Sequence, residues 1–123
     1  MDYSKFMQLA IAQDSRNLFS STDADLSIVP NALKAFYKTC NPVEVDIDFD
    51  GVYVHFIPVE ELKDIQQEYA YIHAQFIFAT CNGDPIFYEH GVIYTCPHGV
   101  ANPDWEQIAD SFDQYLDTLF QEY

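Results

Sequence analysis

The stretch from Val45 to Ile57, "VDIDFDGVYVHFI", decides how this chain folds. Apolar and polar side chains alternate on both sides of Asp50-Gly51, which is the pattern of two β-strands that each bury one face. A two-residue Asp-Gly turn holds both φ angles positive and matches the right-handed twist of the strands that it joins. The stretch therefore predicts a β-hairpin.

The turn also fixes which residues of the hairpin face each other. It pairs apolar residues on one face: Phe49 with Val52, Ile47 with Val54, and Val45 with Phe56. On the opposite face it sets Asp48 beside Tyr53 and Asp46 beside His55. The hairpin is therefore expected to bury one face and to present an acidic face, whose purpose the function must explain.

The same stretch begins like a calcium-binding loop, because Asp46, Asp48 and Asp50 alternate and Gly51 follows. An EF-hand loop also needs a bidentate glutamate at its twelfth position. Counted from Asp46, that position is Ile57, whose aliphatic side chain supplies no oxygen. The sequence therefore predicts that this hairpin does not bind calcium.

The rest of the chain carries both helical and strand patterns. Helix-like apolar spacing occurs in residues 3–18, 31–40 and 58–69. Strand-like runs occur in residues 74–81, 86–90 and 92–96, of which the first is apolar enough for a central strand. Turns are predicted at Asn82-Gly83 and His90-Gly91. These elements predict an α+β fold.

The C-terminal segment "NPDWEQIADSFDQYLDTLFQEY" is predicted to be a single helix, with Asn102 as its cap and Pro103 in its first turn. Its expected buried stripe is Trp105, Ile108, Ala109, Phe112, Leu116, Leu119 and Phe120. Its expected acidic stripe is Glu106, Asp110, Asp113 and Asp117. Because no Lys is interleaved, the acidic stripe favours a surface that faces a partner over one that is only solvated.

The charge of the chain restricts its partners. Twenty acidic residues face five basic ones among 123 residues, and no Lys or Arg follows Lys63. Such a field repels nucleic acid and anionic membranes and attracts basic proteins. The alternative is that the excess charge only keeps a small protein soluble. The length fits one domain with a core of its own.

No targeting signal is predicted. The chain has no apolar run long enough to cross a bilayer, and "MDYSKFMQLA" lacks the basic and apolar regions of a signal peptide. Its three cysteines, Cys40, Cys81 and Cys96, have no paired spacing, as is typical of a reducing compartment. We therefore expect a cytoplasmic protein.

The candidate metal ligands lack the spacing of known zinc sites, and the candidate catalytic cysteine lacks nearby positive charge. Cys81, His90, Cys96 and His98 follow neither a zinc-ribbon nor a helical zinc pattern. A catalytic thiolate needs nearby positive charge, and this half of the chain has no Lys or Arg. Acid-base catalysis by a pair of Asp or Glu side chains stays an open alternative, because nothing in the sequence singles out one pair. We expect a protein that is not an enzyme and that needs no cofactor or metal.

Five motifs occur in order: "IVPNALKAFY", "FIPVEEL", "FIFATCNGDPIFYE", "GVIYTCPHG" and "IADSFDQYLDTLF". Their order and spacing resemble the SUKH superfamily, which contains immunity proteins and a fungal regulator of cell-wall assembly. The resemblance covers about residues 28–120 of a single domain that spans residues 1–123, and an N-terminal helix and loop over residues 1–25 precede it. In this comparison Gly83 and Asp84 form the family's turn, and Ser111 and Phe112 lie in its C-terminal helix.

Two positions depart from the family pattern. Asn41-Pro42 stands where the family often has Asn-Gly, which changes how the chain leads into the hairpin. Pro85 follows Asp84 and removes a strand donor, which predicts a turn longer than two residues.

The resemblance implies a mostly antiparallel sheet packed against N-terminal, middle and C-terminal helices. It also implies a bacterial immunity protein that neutralises a cognate toxin by binding it, in a family without established enzymes. A nuclease is the expected toxin, because nucleases present basic surfaces that an acidic protein complements. The alternative is a regulatory or scaffold module of the same fold that binds a cellular protein. The oligomeric state stays open.

The expected partner-binding residues are the outer hairpin face with acids and aromatics of the second half: Asp46, Asp48, Tyr53, His55, Asp84, Tyr88 and Glu89. If a helix covers that sheet face, the stripe Glu106, Asp110, Asp113 and Asp117 becomes the better candidate. Asp2 and Asp14 are expected to lie off the site.

Overall fold

A computed structural model describes residues 3–121 of the chain. Its helices are α1 Ser4–Gln13, α2 Asn31–Cys40, α3 Leu62–Glu68 and α4 Phe112–Thr118. Its strands are β1 Leu18–Ser20, β2 Asn41–Phe49, β3 Val52–Phe56, β4 Phe76–Cys81, β5 Asp84–Glu89, β6 Val92–Thr95 and β7 Glu106–Ala109. Short 3-10 turns cover Val59–Glu61 and Ala70–Ile72. The α+β class is confirmed.

The strands form a single antiparallel sheet in sequence order, β1 to β7. Tight turns make this order possible, because three hairpins close through two residues that both have positive φ. The turns are Asp50-Gly51, Asn82-Gly83 and His90-Gly91. All three were predicted from the sequence, and β4 takes the central position expected for it.

The hairpin of β2 and β3 has the predicted register. Ile47 lies opposite Val54 and Val45 opposite Phe56, and all four side chains are buried. Since side chains alternate along a strand, this register turns the acidic residues of β2 to the other face of the sheet.

The main core lies between one face of the sheet, here called the inner face, and the helices α1, α2 and α4. Phe56 of β3 lies 5.6 Å from Phe6 of α1, between ring centroids. Phe112 of α4 lies 5.0 Å from Phe36 of α2 and 5.1 Å from Phe78 of β4. The two contacts of Phe112 are edge-to-face, an arrangement that adds to the free energy of burying the rings. The three helices are therefore held against the inner face by one aromatic cluster.

The opposite, outer face is covered over only part of its width. Ile77 of β4 and Phe87 of β5 are buried there in a second, smaller core with Ile72, and Ile65 of α3 packs against it. Trp105 lies edge-on to Phe87 at 4.9 Å between centroids. On the outer face of the β2–β3 hairpin, by contrast, Asp46, Asp48 and Tyr53 are exposed to solvent.

The N-terminal helix is shorter than predicted. It ends at Gln13, and Leu18 begins a strand that was not predicted. At this end the carbonyl oxygen of Ala10 accepts from the backbone N–H of Asp14 and also from Nδ2 of Asn17, which holds the following segment against the helix end. Asp14 has already turned to an extended conformation. The expectation of helix through Leu18 was wrong.

The prediction of one long C-terminal helix was also wrong. Residues 106–109 form β7, which pairs with β6, and the helix starts only at Phe112. Ser111 is the true cap, because its Oγ accepts from the backbone N–H of Gln114 at 3.0 Å. Asn102 instead has a positive φ of 50° in a loop. Pairing with the otherwise open edge of β6 outweighs the helical apolar spacing of this segment.

Pro85 does not lengthen the turn, contrary to expectation. Cys81 lies directly opposite Asp84, so the turn at Asn82-Gly83 has two residues. Pro85 lies opposite Thr80 inside β5, and its carbonyl accepts from the hydroxyl of Thr95 at 2.8 Å.

Candidate partner-binding site

A concave pocket of about 590 Å³ lies on the open outer face of the β2–β3 hairpin. It is lined by Asn17, Tyr53 and His55 and by the charged residues Asp14, Arg16, Glu44 and Asp46. We call it the hairpin pocket. It brings together two parts of the chain, the hairpin and the segment that joins α1 to β1.

The hairpin supplies one wall of the pocket through cross-strand pairs. Asp46 lies opposite His55, and His55 Nδ1 is 2.9 Å from Asp46 Oδ1. Tyr53, the next outward residue of β3, has a relative exposure of 58%. The predicted outer face is therefore present as a carboxylate, an imidazole and an exposed phenol.

Asn17 forms the floor of the hairpin pocket and fixes its shape. Its buried amide donates to Ala10 of α1 at 2.9 Å, and its Oδ1 accepts from the backbone N–H of Asp46 at 3.0 Å. The carbonyl of Ala10 also accepts from the backbone N–H of Asp14, whereas Asn17 supplies the hydrogen-bond partner of the Asp46 N–H. The pocket wall that carries Asp46 is therefore tied to α1.

Gln13 makes a second connection between α1 and β2, at a position beyond the end of β1. Its Oε1 accepts from the backbone N–H of Asp48 at 2.7 Å, and its Nε2 donates to the carbonyl of Asp48 at 3.0 Å. The amide thus replaces the backbone of a neighbouring strand. The outer hairpin face is held as a fixed surface.

The hairpin pocket carries more negative charge than its own cation balances. Arg16 donates to Asp14 through two bonds, Nη2 to Oδ2 at 2.8 Å and Nε to Oδ1 at 3.1 Å. These bonds lower the pKa of Asp14 to about 2. Among the described lining residues, Arg16 is hydrogen-bonded to Asp14 and also attracts Asp46, so one guanidinium faces the carboxylates of Asp14, Glu44 and Asp46. The pocket is therefore suited to a cation.

The predicted partner-binding residues of β5 lie outside the hairpin pocket. Asp84 accepts from the backbone N–H of His98 and lies 2.7 Å from its Nδ1. Glu89 accepts from the backbone N–H of Gln75 at 2.8 Å. Tyr88 packs against the main core and is only partly exposed. The structure does not bring these β5 residues into the hairpin pocket.

The acidic stripe expected on a C-terminal helix does not form. Glu106 lies on β7, and Asp110 follows that strand and accepts from the side chain of Gln107. Asp113 and Asp117 lie on α4, and Asp113 accepts a hydrogen bond from Tyr3 at 2.8 Å. The four acids therefore belong to three different segments and make no continuous surface on one helix.

Asp14 was expected to lie off the site, but it lines the hairpin pocket. The expectation for Asp2 falls outside the described residues. Sequence reasoning also missed Arg16, Asn17 and Glu44. Glu44 continues the outward alternation of β2 and was detectable, whereas Arg16 and Asn17 reach the pocket through β1, whose three residues carry no strand pattern.

Two features of the described residues concern metal binding and thiol reactivity. Within residues 3–121, no group of three or more His, Cys, Asp or Glu side chains is placed to hold a metal ion. Burial, followed by the charge of Asp84, raises the pKa of the thiols of Cys81 and Cys96. A raised pKa disfavours the reactive thiolate. None of the helices in this part of the chain combines the length and apolar character needed to cross a bilayer.

Comparison with known proteins identifies a family. Neither the curated proteins nor the solved structures give a match. The family model of the SMI1 / KNR4 family (SUKH-1) matches residues 19–118, which is most of the chain and runs from β1 to α4. SUKH domains are known for immunity proteins of toxin systems and typically bind partner proteins. The chain therefore belongs to the SMI1 / KNR4 family (SUKH-1).

Proposed function

We propose that this protein is an immunity protein that binds and neutralises a toxin domain with a basic surface, and that the hairpin pocket and the neighbouring Asp48 form the contact. The observation that carries the proposal is the excess of carboxylates on an open sheet face, where Asp14, Glu44 and Asp46 of the described lining face one guanidinium, that of Arg16. Membership in a family known for immunity proteins supports the same function.

The charge of the whole chain supports a basic partner. The formal net charge is −15, and all five Lys and Arg residues lie in the first 63 positions. A field of this size accelerates encounter with a positively charged protein and repels polyanions. The negative charge of this chain therefore attracts a basic partner, and few Lys or Arg side chains of the chain repel it.

The pocket offers the contacts that Arg and Lys side chains use. Glu44 and Asp46 supply carboxylate oxygens for charge-assisted hydrogen bonds. Tyr53 exposes its ring beside them, and a guanidinium over such a ring gains cation–π attraction. A fixed aromatic ring next to charged groups is a common centre of binding energy in protein interfaces.

Inhibition by binding needs no cofactor and no chemistry from this chain. The toxin domain that fits best is a nuclease, because its phosphate-binding surface is basic and an acidic protein can cover it. In this mechanism the carboxylates of the hairpin pocket take the place of the phosphates. The immunity protein would then compete directly with the nucleic acid.

The test is co-production with the toxic domain encoded beside its gene. We expect growth to be restored and a complex to form. In kinetic binding measurements at rising salt, association should slow steeply while dissociation changes little, because exposed charges act mainly on the encounter. Failure to restore growth together with failure to form a complex would refute the immunity function. Binding that is indifferent to salt would refute the electrostatic mechanism.

A further inference from the structure

A second concave site lies on the inner face of the sheet, between the tip of the β2–β3 hairpin and α4. It is a cleft of about 380 Å³ lined mainly by apolar side chains, among them Phe49, Val52, Val54, Ile86, Ile108 and Leu119. We call it the apolar cleft. Its volume falls within the range of ligand-binding pockets in proteins.

The apolar cleft is open to solvent and is not a sealed gap in the core. Val52 has a relative exposure of 38%, and Phe49, Cys81, Ile108 and Thr118 are partly exposed. Such a surface remains in contact with water although the neighbouring core residues are closely packed. A concave apolar surface that water reaches is suited to packing against an apolar group of another molecule.

Among the described residues, the charged group that lines this cleft is acidic: it is Asp84, whose carboxylate lies 2.7 Å from Nδ1 of His98. Glu106 lies directly opposite the lining residue Thr95, so both project to the same face of the sheet. Asp50 follows Phe49 at the tip of the hairpin, and no Lys or Arg is among the described lining residues. The rim therefore disfavours an anionic occupant and complements a basic one.

The apolar cleft and the hairpin pocket lie on opposite faces of the same hairpin. Val52 and Val54 of β3 line the cleft, whereas Tyr53 and His55 line the pocket. This arrangement follows from the alternation of side chains along one strand. A protein that binds the hairpin pocket and reaches around the tip at Asp50-Gly51 meets the cleft directly.

We propose that the apolar cleft binds an apolar side chain carried on a basic segment of the partner protein. The inference rests on the proposed function for the identity of that partner. Burial of the apolar side chain contributes binding free energy that the exposed carboxylates of the hairpin pocket do not supply. The Lys or Arg residues beside it in the partner segment pair with the acidic rim of the cleft. The partner thus holds the hairpin from both faces.

Two synthetic peptides of equal charge test this site without any toxin. One alternates Lys with Leu, and the other replaces each Leu by Ser. The readout is alkylation of Cys81 by N-ethylmaleimide at mildly alkaline pH, because Cys81 lines the cleft while Cys40 and Cys96 are buried. With the Lys–Leu peptide at tenfold its Kd, labelling should slow about tenfold, since about one tenth of the protein stays free. The Lys–Ser peptide should not protect Cys81.

Matched variants on two helices complete the test. Thr118→Trp fills the cleft and should weaken binding of the Lys–Leu peptide by about tenfold or more. Thr39→Trp is the control, because Thr39 lies late in α2, does not line the cleft, and like Thr118 donates its hydroxyl to a backbone carbonyl of its own helix. Denaturation midpoints show whether both variants fold.

The proposal would be overturned by equal binding of both peptides, by unprotected Cys81, or by equal effects of the two Trp variants. Protection by 2-phenylethylamine as complete as that by the peptide would also overturn it and indicate a small-molecule site. Because the peptides replace the toxin, these results are independent of whether the hairpin pocket binds its partner.

Discussion

Asp48 has two roles, one in the fold and one in the proposed interface. Its Oδ1 accepts from the backbone N–H of Gly51 at 3.2 Å, which supports the hairpin turn. Its own backbone is held by both ends of the Gln13 amide. A substitution of Asp48 therefore changes the turn as well as the charge. Glu44 and Asp46 are better positions for testing binding, because their carboxylates hold no such turn.

Gly51 tests the turn on which the hairpin depends. Its φ is +84°, and a Cβ added there meets nothing within 4 Å, so any cost of substitution comes from the backbone conformation alone. We expect Gly51→Val to lower the free energy of unfolding by about 1–3 kcal/mol. Chemical denaturation measures this loss.

The control for the turn is Gly51→Asn, because Asn tolerates positive φ better than other residues with a Cβ. It should retain most of the stability that Gly51→Val loses. Equal losses in the two variants would mean that the positive φ at position 51 is not what the turn requires.

At the scale of elements, the segments with strong local signals were predicted and those formed by tertiary pairing were not. The β2–β3 hairpin carries both an alternating pattern and a turn dipeptide, so its register followed from the sequence. Strands β1 and β7 have three and four residues and lie at the edges of the sheet. Each of these strands pairs with a strand that is separate from it in the sequence. No local residue pattern predicts that pairing. The helical spacing around Ile108 was therefore misleading.

Ser111 tests where the C-terminal helix begins. Its hydroxyl caps α4, so Ser111→Ala should lower the free energy of unfolding by about 1 kcal/mol. Ser111→Asp should restore most of the loss, because Asp is an equally good cap. Thermal or chemical denaturation of the three proteins gives the comparison.

Asn102→Gly is the matched control for the helix start. Asn102 was the predicted cap, but the structure places it in a loop with positive φ, a conformation that Gly adopts freely. The variant should leave stability close to that of the native chain. A loss at Asn102 as large as that of Ser111→Ala would contradict the observed strand β7 and favour the long helix.

At the scale of the whole molecule, the candidate site was predictable in part. Alternation along the hairpin placed Asp46, Tyr53 and His55 on one exposed face, and the structure keeps them together. Arg16 and Asn17 join them only because β1 pairs with β2. The acidic excess indicated a basic partner but no location, since charge composition does not say which face stays uncovered. Helix α3 lies on the other part of the outer face, and its position determines that the hairpin part stays exposed.

Charge reversal in the hairpin pocket tests the electrostatic proposal most directly. Glu44→Lys with Asp46→Lys is compared with Asp23→Lys and Glu68→Lys, two exposed acids that do not line the hairpin pocket. Both double variants change the net charge equally, so long-range attraction is matched. The measurement is the Kd for the toxin domain at low and physiological salt, after denaturation midpoints confirm folding.

The pocket variant should raise the Kd at least about tenfold more than its control, because two lost attractions and two new repulsions amount to roughly 1.4 kcal/mol or more. The difference should shrink as salt rises. Equal Kd values for the two double variants would contradict binding at the hairpin pocket and leave net charge alone as the source of attraction.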